Sequence, residues 1–315
     1  PVAWINRDGN TSAAKITSVM TFMGMDLVEA EEAQAGDIVA FSCIPGVNIG
    51  ETIEDADHPE ALPVMKIEEP TVKMTFGINT SPFAGQEGEY TTTRNIRERL
   101  ERELQNDVAL RVEPGQSSDN FVVSGRGELH LSILIERMRR EGFELQVSRP
   151  QVIYKEEAGA RTEPYEEVEI EVPEAMSGVV IEKLGKRKGE LKDLRTENGT
   201  TYLEFVIPTR GLIGYRNEFM IDTRGQGIMN TLLLGYRAFA GELASIPHGS
   251  LVSFETGESN SYGLLAAQER GALFIGPGLK VYEGMVVGQN AKPEALVVNV
   301  CKEKQLSNMR SKGEG

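Results

Sequence analysis

The strongest constraint on the fold of this 315-residue chain is an order of secondary-structure elements that occurs twice. Within residues 70–150 the pattern predicts a strand, an amphipathic helix, two strands separated by a Pro-Gly-Ser turn, a second helix and a final strand. In the first helix Ile96, Leu100 and Leu104 fall on one stripe, as expected for a helix that packs on a sheet. The order β-α-β-β-α-β is that of a ferredoxin-like domain.

The same order returns in residues 151–240. PYEEVEIEVP alternates polar and apolar residues as a strand does, and SGVVIEKLGKRKG is a short helix. A hairpin follows, with Asn198 and Gly199 as its turn, and then a second helical segment and a last strand. We therefore expect two ferredoxin-like βαββαβ domains in tandem, related by topology rather than by residue identity.

Residues 1–69 and 241–315 flank this pair. The first stretch carries β-branched and apolar segments divided by Gly and Pro turns, which indicates part of a small β-barrel, incomplete at its start. The second is Gly-rich and strand-like throughout, including SYGLLAA at 261–267, which favours a β-rich domain; its polar SKGEG ending leaves open whether that domain is complete. The prediction is a multidomain α+β protein with a partial β-barrel, two ferredoxin-like domains and a C-terminal β-rich domain.

Composition excludes several classes of protein. The longest apolar runs fall short of the ~18 residues that a membrane span needs, and no charged-then-apolar segment opens the chain. The two cysteines, Cys43 and Cys301, stand in unrelated settings, so neither a disulfide framework nor a zinc site is expected. A reducing cytoplasm and no membrane partner fit these features best.

The net charge of −15 is unevenly spread. Residues 26–69 carry twelve acids against Lys66, and residues 156–174 carry eight acids against Arg161. The balance reverses to +4 in residues 183–195 and to +3 in residues 302–312. Because fields are screened within ~10 Å, basic patches on an acidic protein can still meet phosphate, although ordinary solvated faces are the alternative.

Motifs for catalysis are missing from the sequence. A Walker A loop needs Gly-x-x-x-x-Gly-Lys-Ser/Thr, and the single Gly-Lys pair, Gly185-Lys186, continues with Arg187. The Asp-x-x-Gly at 222–225 stands alone without that loop. His130 lies on a predicted amphipathic helix, where a half-buried, hydrogen-bonded histidine is expected. We expect no catalytic residue, cofactor site or metal site in this chain.

Several strings resemble one family of translation factors. The segment 123–156 resembles the third domain of the translational GTPases related to elongation factor G. Its sequence is VSGRGELHLSILIERMRREGFELQVSRPQVIYKE, in which the GRGELHL core is highly specific. QAGDIVAFSCIPGVNIGETI, at 34–53, is similar to their second, barrel domain. Two further segments are typical of the BipA/TypA family within this group: GKRKGEL at 185–191 and VIPTRGLIGYRNEFM at 206–220. The resemblance covers essentially the whole chain but includes neither the GTPase domain nor the first part of the barrel.

The resemblance implies a function for the longer protein. It implies a GTP hydrolase that uses GTP and magnesium, is monomeric, binds the ribosome near the site of elongation factor G, and acts in large-subunit assembly and translation under stress. It also implies a loop of the C-terminal domain that reaches toward the peptidyl-transferase region and the acceptor end of A-site tRNA.

Two groups of residues are candidates for RNA binding. The resemblance assigns the loop to CKEKQLSNMRSKGEG, and its candidates are Lys302, Lys304, Asn308, Arg310 and Lys312. The residues of the GKRKG turn at 185–189 add Lys186, Arg187 and Lys188. Lysines supply mobile charges for phosphates, and an arginine can form a two-pronged contact. The alternative is a protein-interaction module whose acidic surfaces dock basic ribosomal proteins without direct RNA contact.

Overall fold

The computed structural model describes residues 1–42, 44–64, 69–243 and 248–303. Within these ranges the chain forms six helices and 22 strands. It divides into two compact units, one of Pro1–Ile78 with Glu89–Ile153 and one of Asn79–Gly88 with Tyr154–Gly315. The predicted multidomain α+β class is confirmed. None of the helices in the described ranges is long and apolar enough to cross a membrane.

The N-terminal part of the first unit consists of two three-stranded antiparallel sheets. Its strands are β1 (Val2–Ile5), β2 (Thr11–Ala14), β3 (Val19–Met23), β4 (Asp26–Ala30), β5 (Val39–Phe41) and β6 (Thr52–Glu54). One sheet has the order β2-β1-β6 and the other β4-β3-β5. Among the described residues no strand pairing links the two sheets, so this part does not form a closed barrel.

The rest of the first unit follows the predicted order of elements. These are β7 (Val72–Gly77), α1 (Thr93–Asn106), β8 (Arg111–Pro114), β9 (Asn120–Gly125), α2 (Glu128–Arg140), β10 (Gln146–Val147) and β11 (Gln151–Val152). The sheet order is β8-β9-β7-β10, with β11 also on β7. Helix α1 begins at a capping box, because the Thr92 side chain accepts from the Asn95 amide while the Asn95 side chain accepts from the Thr92 amide. Ile96 and Leu100 are fully buried.

The second unit contains the same order again. Its elements are β12 (Lys155–Glu157), β13 (Ala160–Pro173), α3 (Glu174–Lys186), β14 (Glu190–Glu197), β15 (Thr200–Pro208), α4 (Thr209–Leu212), α5 (Tyr215–Asp222) and β16 (Ile228–Ala238). The sheet order is β14-β15-β13-β16, and β12 pairs with the start of β13. Asn198 and Gly199 both have positive φ, 51° and 78°, as the predicted tight hairpin turn requires. Val168, Ile170 and Val172 point into the core under the helices.

The C-terminal part is β-rich but contains one helix that the sequence analysis missed. Its elements are β17 (Ser250–Ser253), β18 (Gly257–Glu258), α6 (Ser261–Gln268), β19 (Gly271–Leu273), β20 (Lys280–Val281), β21 (Val286–Asn290) and β22 (Leu296–Val298). The expectation that SYGLLAA is strand-like is wrong: it forms α6. Asn260 caps this helix by accepting from the Gly263 amide at 2.9 Å, and Leu264 and Ala267, three residues apart, enter the core.

Candidate nucleic-acid interface

The GKRKG segment forms a tight turn between α3 and β14. The amides of Arg187 and Gly189 both donate to the Leu184 carbonyl, at 3.0 and 2.8 Å. The backbone of Lys188 adopts the left-handed conformation, with a φ of 68°. A Cβ on Gly189 would lie 2.9 Å from the Leu184 oxygen, so glycine is needed for this close approach. The turn therefore has one fixed geometry, with three consecutive cationic residues at 186–188.

Arg187 points back into the protein. Its Nη2 donates to the Glu218 carboxylate at 2.6 Å, and its Nη1 donates to the carbonyls of Gly211 and Ile213 at 2.9 and 3.2 Å. Its guanidinium also lies over the Tyr215 ring, 5.2 Å from the centroid. These contacts join the turn to the segment of α4 and α5 and give both terminal nitrogens partners within the domain.

Lys186 and Lys188, in contrast, are exposed. The Lys186 ammonium lies 2.5 Å from Glu182, and this hydrogen bond lowers the pKa of the Glu182 carboxyl below its usual value. An exposed pair of this kind is worth only ~0–1 kcal/mol, so the lysine can exchange its partner for a phosphate. Lys188 forms no ion pair with any residue in the described ranges.

The neighbouring Lys183 is also neutralised from within the domain. Its ammonium lies 2.7 Å from Asp222 and 3.4 Å from Glu218. Burial lowers the pKa of Lys183, but the hydrogen bonds and charges of these two acids outweigh burial and raise it overall. The sequence carried a signal for this network, since Lys183 in α3 and Arg187 at the C-terminal cap of that helix are four residues apart, as are Glu218 and Asp222 in α5.

The start of the C-terminal segment is held by the cap of α6. The Asn260 amide donates to the Val300 carbonyl at 3.0 Å, and the Asn260 side chain donates to the Cys301 carbonyl at 2.8 Å. A Cβ on Gly263 would lie 2.5 Å from the Val300 oxygen, so the close approach of α6 to the chain after β22 requires glycine at this position. Lys302 follows directly and is exposed. The other candidates in this segment lie outside the described residues: Lys304, Asn308, Arg310 and Lys312.

Side chains for metal binding do not assemble in the described ranges. No cluster of three or more His, Cys, Asp or Glu side chains there could hold a metal ion. His130 Nε2 lies 2.5 Å from the Asp107 carboxylate, while His130 Nδ1 accepts from the Arg126 amide at 3.2 Å. With 19% of its side chain exposed, His130 is confirmed as a half-buried, hydrogen-bonded histidine.

Comparison with known families agrees with this architecture. Residues 88–149 match elongation factor G domain III, residues 160–247 match the elongation factor G C-terminus, and residues 248–315 match the TypA/BipA C-terminal domain. These matches identify the class of protein: the chain contains domains related to those of elongation factor G.

Curated relatives specify the family further. The large ribosomal subunit assembly factor BipA of Synechocystis sp. is 52% identical over 310 residues, which is 98% of this chain and 52% of the relative. The protein of the same name from Bacillus subtilis is 52% identical over 312 residues, 98% of this chain and 51% of the relative. A putative TypA-like chloroplastic elongation factor of Arabidopsis thaliana is 48% identical over 300 residues, 95% of this chain and 44% of the relative. The chain belongs to the BipA/TypA family and spans about half the length of these curated relatives.

Proposed function

We propose that this chain is the ribosome-binding part of a translational GTPase of the BipA/TypA type, which acts in large-subunit assembly and in translation under stress. Two of the relatives named above carry the name of large ribosomal subunit assembly factor, which supports the partner. Hydrolysis of GTP with magnesium would belong to the longer protein, because these 315 residues contain no Walker A loop. Its working place would be the cytoplasm, as a monomer on the ribosome.

The observation that carries the RNA-binding proposal is the anchoring of the chain just before Lys302. Asn260 holds both Val300 and Cys301, so the cationic segment that follows starts from a defined point of a folded domain. We propose that this segment contacts ribosomal RNA and the acceptor end of A-site tRNA. Its proposed contacts are Lys302, Lys304, Asn308, Arg310 and Lys312.

A second proposed RNA contact is the turn after α3. Lys186 and Lys188 would meet phosphates, since both are exposed and neither has a strong competing partner. Arg187 would act differently from the sequence-based expectation, as a positioning residue that holds the turn through Glu218.

We also propose that residues 70–150 and 151–240 are ferredoxin-like domains. The sheets β8-β9-β7-β10 and β14-β15-β13-β16 place the first and third strands at the centre in both cases. Each sheet is antiparallel and has its two helical segments between the corresponding strands.

Binding to protein-free 23S ribosomal RNA tests this function. RNA contact requires a steep loss of affinity with rising salt both for the free RNA and for intact large subunits, because bound cations release counterions from phosphates. A chain that binds intact subunits but shows no salt-dependent affinity for the free RNA would instead dock on ribosomal proteins. That second function is favoured by one observation: Glu169, Glu204 and Asp193 form a row of carboxylates across three adjacent strands of one sheet.

A further inference from the structure

The outer face of the β14-β15-β13-β16 sheet carries a concentration of acids that RNA binding does not use. In β13, Val168, Ile170 and Val172 are buried in the core. Alternation along the strand therefore turns Glu167, Glu169 and Glu171 to the opposite face. These residues come from the acidic stretch 156–174, and the strand register shows how they are arranged.

Three carboxylates form a row across adjacent strands. Glu169 lies directly opposite Glu204 of β15, and Glu204 lies directly opposite Asp193 of β14. Side chains directly opposite one another have Cβ atoms about 4.5–5.5 Å apart, and like charges in such positions destabilise a sheet. Glu167 is close enough to hydrogen-bond with Glu204, and this contact raises the pKa of the Glu204 carboxyl above its usual value.

Direct ion pairs do not neutralise these carboxylates in the part of the chain that the structure describes. Within the described ranges, Glu167, Glu169, Glu171, Glu204 and Asp193 form no ion pair with lysine or arginine. Two cations of β14 have other direct partners. Lys192 pairs with Glu190 at 2.6 Å, and the Arg195 guanidinium lies over the Tyr202 ring, 5.1 Å from its centroid.

Apolar side chains border the acidic residues on one side. Leu232 and Ile228 of β16 lie opposite Glu167 and Glu171 in the register, and they are 60% and 53% exposed. A face that combines unpaired carboxylates with exposed aliphatic groups suits the side chains of lysine and arginine, whose charged ends sit on apolar stems.

We propose that this sheet face is a docking surface for an extended, lysine- and arginine-rich segment of a partner protein. Alternate residues of an extended chain are about 6.6–6.8 Å apart, which is also the spacing of Glu167, Glu169 and Glu171 along β13. A segment with a cation at every second position can therefore oppose all three carboxylates while its other side chains point outward. The same field repels the phosphates of RNA, so the occupant is a polypeptide. This proposal does not depend on the RNA contacts proposed above.

Two labelled peptides probe the surface in the whole 315-residue chain by fluorescence anisotropy at low salt. Both contain four lysines and six threonines. In one, the lysines stand at every second position, and in the other at every third position, so that an extended backbone turns fewer of them to one face. The structure requires the first peptide to bind more tightly.

The matched variants remove equal charge from two surfaces. Glu167→Gln/Glu169→Gln/Glu204→Gln changes the sheet face, and Glu29→Gln/Glu31→Gln/Glu32→Gln changes exposed acids in the other unit. The first triple should weaken the every-second-residue peptide about tenfold, as expected for several exposed ion pairs, and the second by less than about twofold. Circular dichroism melting should show that both variants fold.

Any of three results would overturn the proposal. Equal losses of peptide affinity in the two triple variants would mean that binding depends only on overall charge. Equal affinity for the two peptides would mean that the spacing of the lysines does not matter. Displacement of the peptide by spermidine at a concentration below the peptide's own dissociation constant would make the surface a small-cation site.

Discussion

The guanidinium of Arg210, in α4, donates from Nε and Nη2 to the carboxylate of Glu163, a side chain of β13 with no solvent exposure. The same carboxylate accepts from the Ala240 amide at 2.8 Å, and Arg210 also donates to the Gly241 carbonyl. The guanidinium also lies over the Phe239 ring, with its Cζ 4.6 Å from the ring centroid. This buried pair therefore fixes the chain where it leaves β16 for the C-terminal part.

Replacement of Arg210 by methionine tests this arrangement. It leaves the buried Glu163 charge without its partner, so the free energy of unfolding should fall by about 3–5 kcal/mol. Arg210→Lys keeps the charge but not the two-pronged geometry and should lose less. Urea denaturation followed by circular dichroism measures both. Arg216→Ala, at an exposed position of α5, is the control; an equal loss there and at Arg210 would contradict the role of the pair.

Leu100 tests the packing of α1 on its sheet. Its side chain is fully buried, so Leu100→Ala should lower the free energy of unfolding by about 2–5 kcal/mol. Leu129→Ala, on α2 with 59% of the residue exposed, provides the control and should change it by less than ~0.5 kcal/mol. If the Leu100 variant lost less than ~0.5 kcal/mol, the helix stripe would be wrongly assigned.

Glu204 should make stability depend on pH in an unusual direction. Because its pKa in the folded protein is raised above 4.5, chiefly by its hydrogen bond with Glu167, the folded state binds more protons than the unfolded state just above pH 4.5. Stability therefore falls as pH rises through this window. Glu204→Gln removes the penalty, so its melting temperature should exceed that of the parent at pH 7, and the difference should vanish below pH 4.5.

Glu182 provides the comparison with the opposite sign. Lys186 lowers the pKa of Glu182 below 4.5, so the ionised carboxyl stabilises the folded state at neutral pH and loses that effect as pH falls. Glu182→Gln should melt below the parent at pH 7 and match it in acid. Identical pH profiles for the Glu204 and Glu182 variants would refute the assigned contacts.

In the turn after α3, Arg187 makes contacts within the domain, whereas Lys188 is exposed. Arg187→Ala leaves Glu218 with Lys183 as its remaining cation and leaves two carbonyls without their donor, so it should cost about 1 kcal/mol of unfolding free energy. Lys188→Asn should leave stability unchanged or slightly raised, since asparagine tolerates the left-handed backbone at this position. Thermal melting compares the two. The reverse order of stabilities would show that Arg187 is free in solution.

Order and periodicity predicted much of the fold. The stripe containing Ile96 and Leu100 and the Asn198-Gly199 turn are local signals, because helix faces and tight hairpins depend on neighbouring residues. Helix α6 was missed because SYGLLAA is short and apolar, and such a segment has the same pattern as a buried strand. The Asn260-Ser261 pair before it was the available sign of a helix start.

The candidate site was less accessible to sequence reasoning, because its geometry depends on residues far apart in the chain. In the sequence, Arg187 is one of three adjacent cations in GKRKG. In the structure, it donates at 2.6 Å to Glu218 of α5, which is 31 residues away. The sequence shows that residues 156–174 are strongly acidic, but not how their carboxylates are arranged in space. Only the register that places Glu204 between Glu169 and Asp193 turns that charge into a row.

The salt dependence of large-subunit binding by a tail variant tests the central proposal most directly. The variant is Lys302→Gln/Lys304→Gln/Arg310→Gln/Lys312→Gln, and the control changes three exposed cations of the same domain, Arg270→Gln/Lys280→Gln/Lys292→Gln. Each lost phosphate contact should flatten the plot of log affinity against log salt by about 0.7–0.9, so four contacts remove a slope of about 3. We expect that change in the tail variant and a parental slope in the control. An unchanged slope in a folded tail variant would contradict RNA binding by this segment.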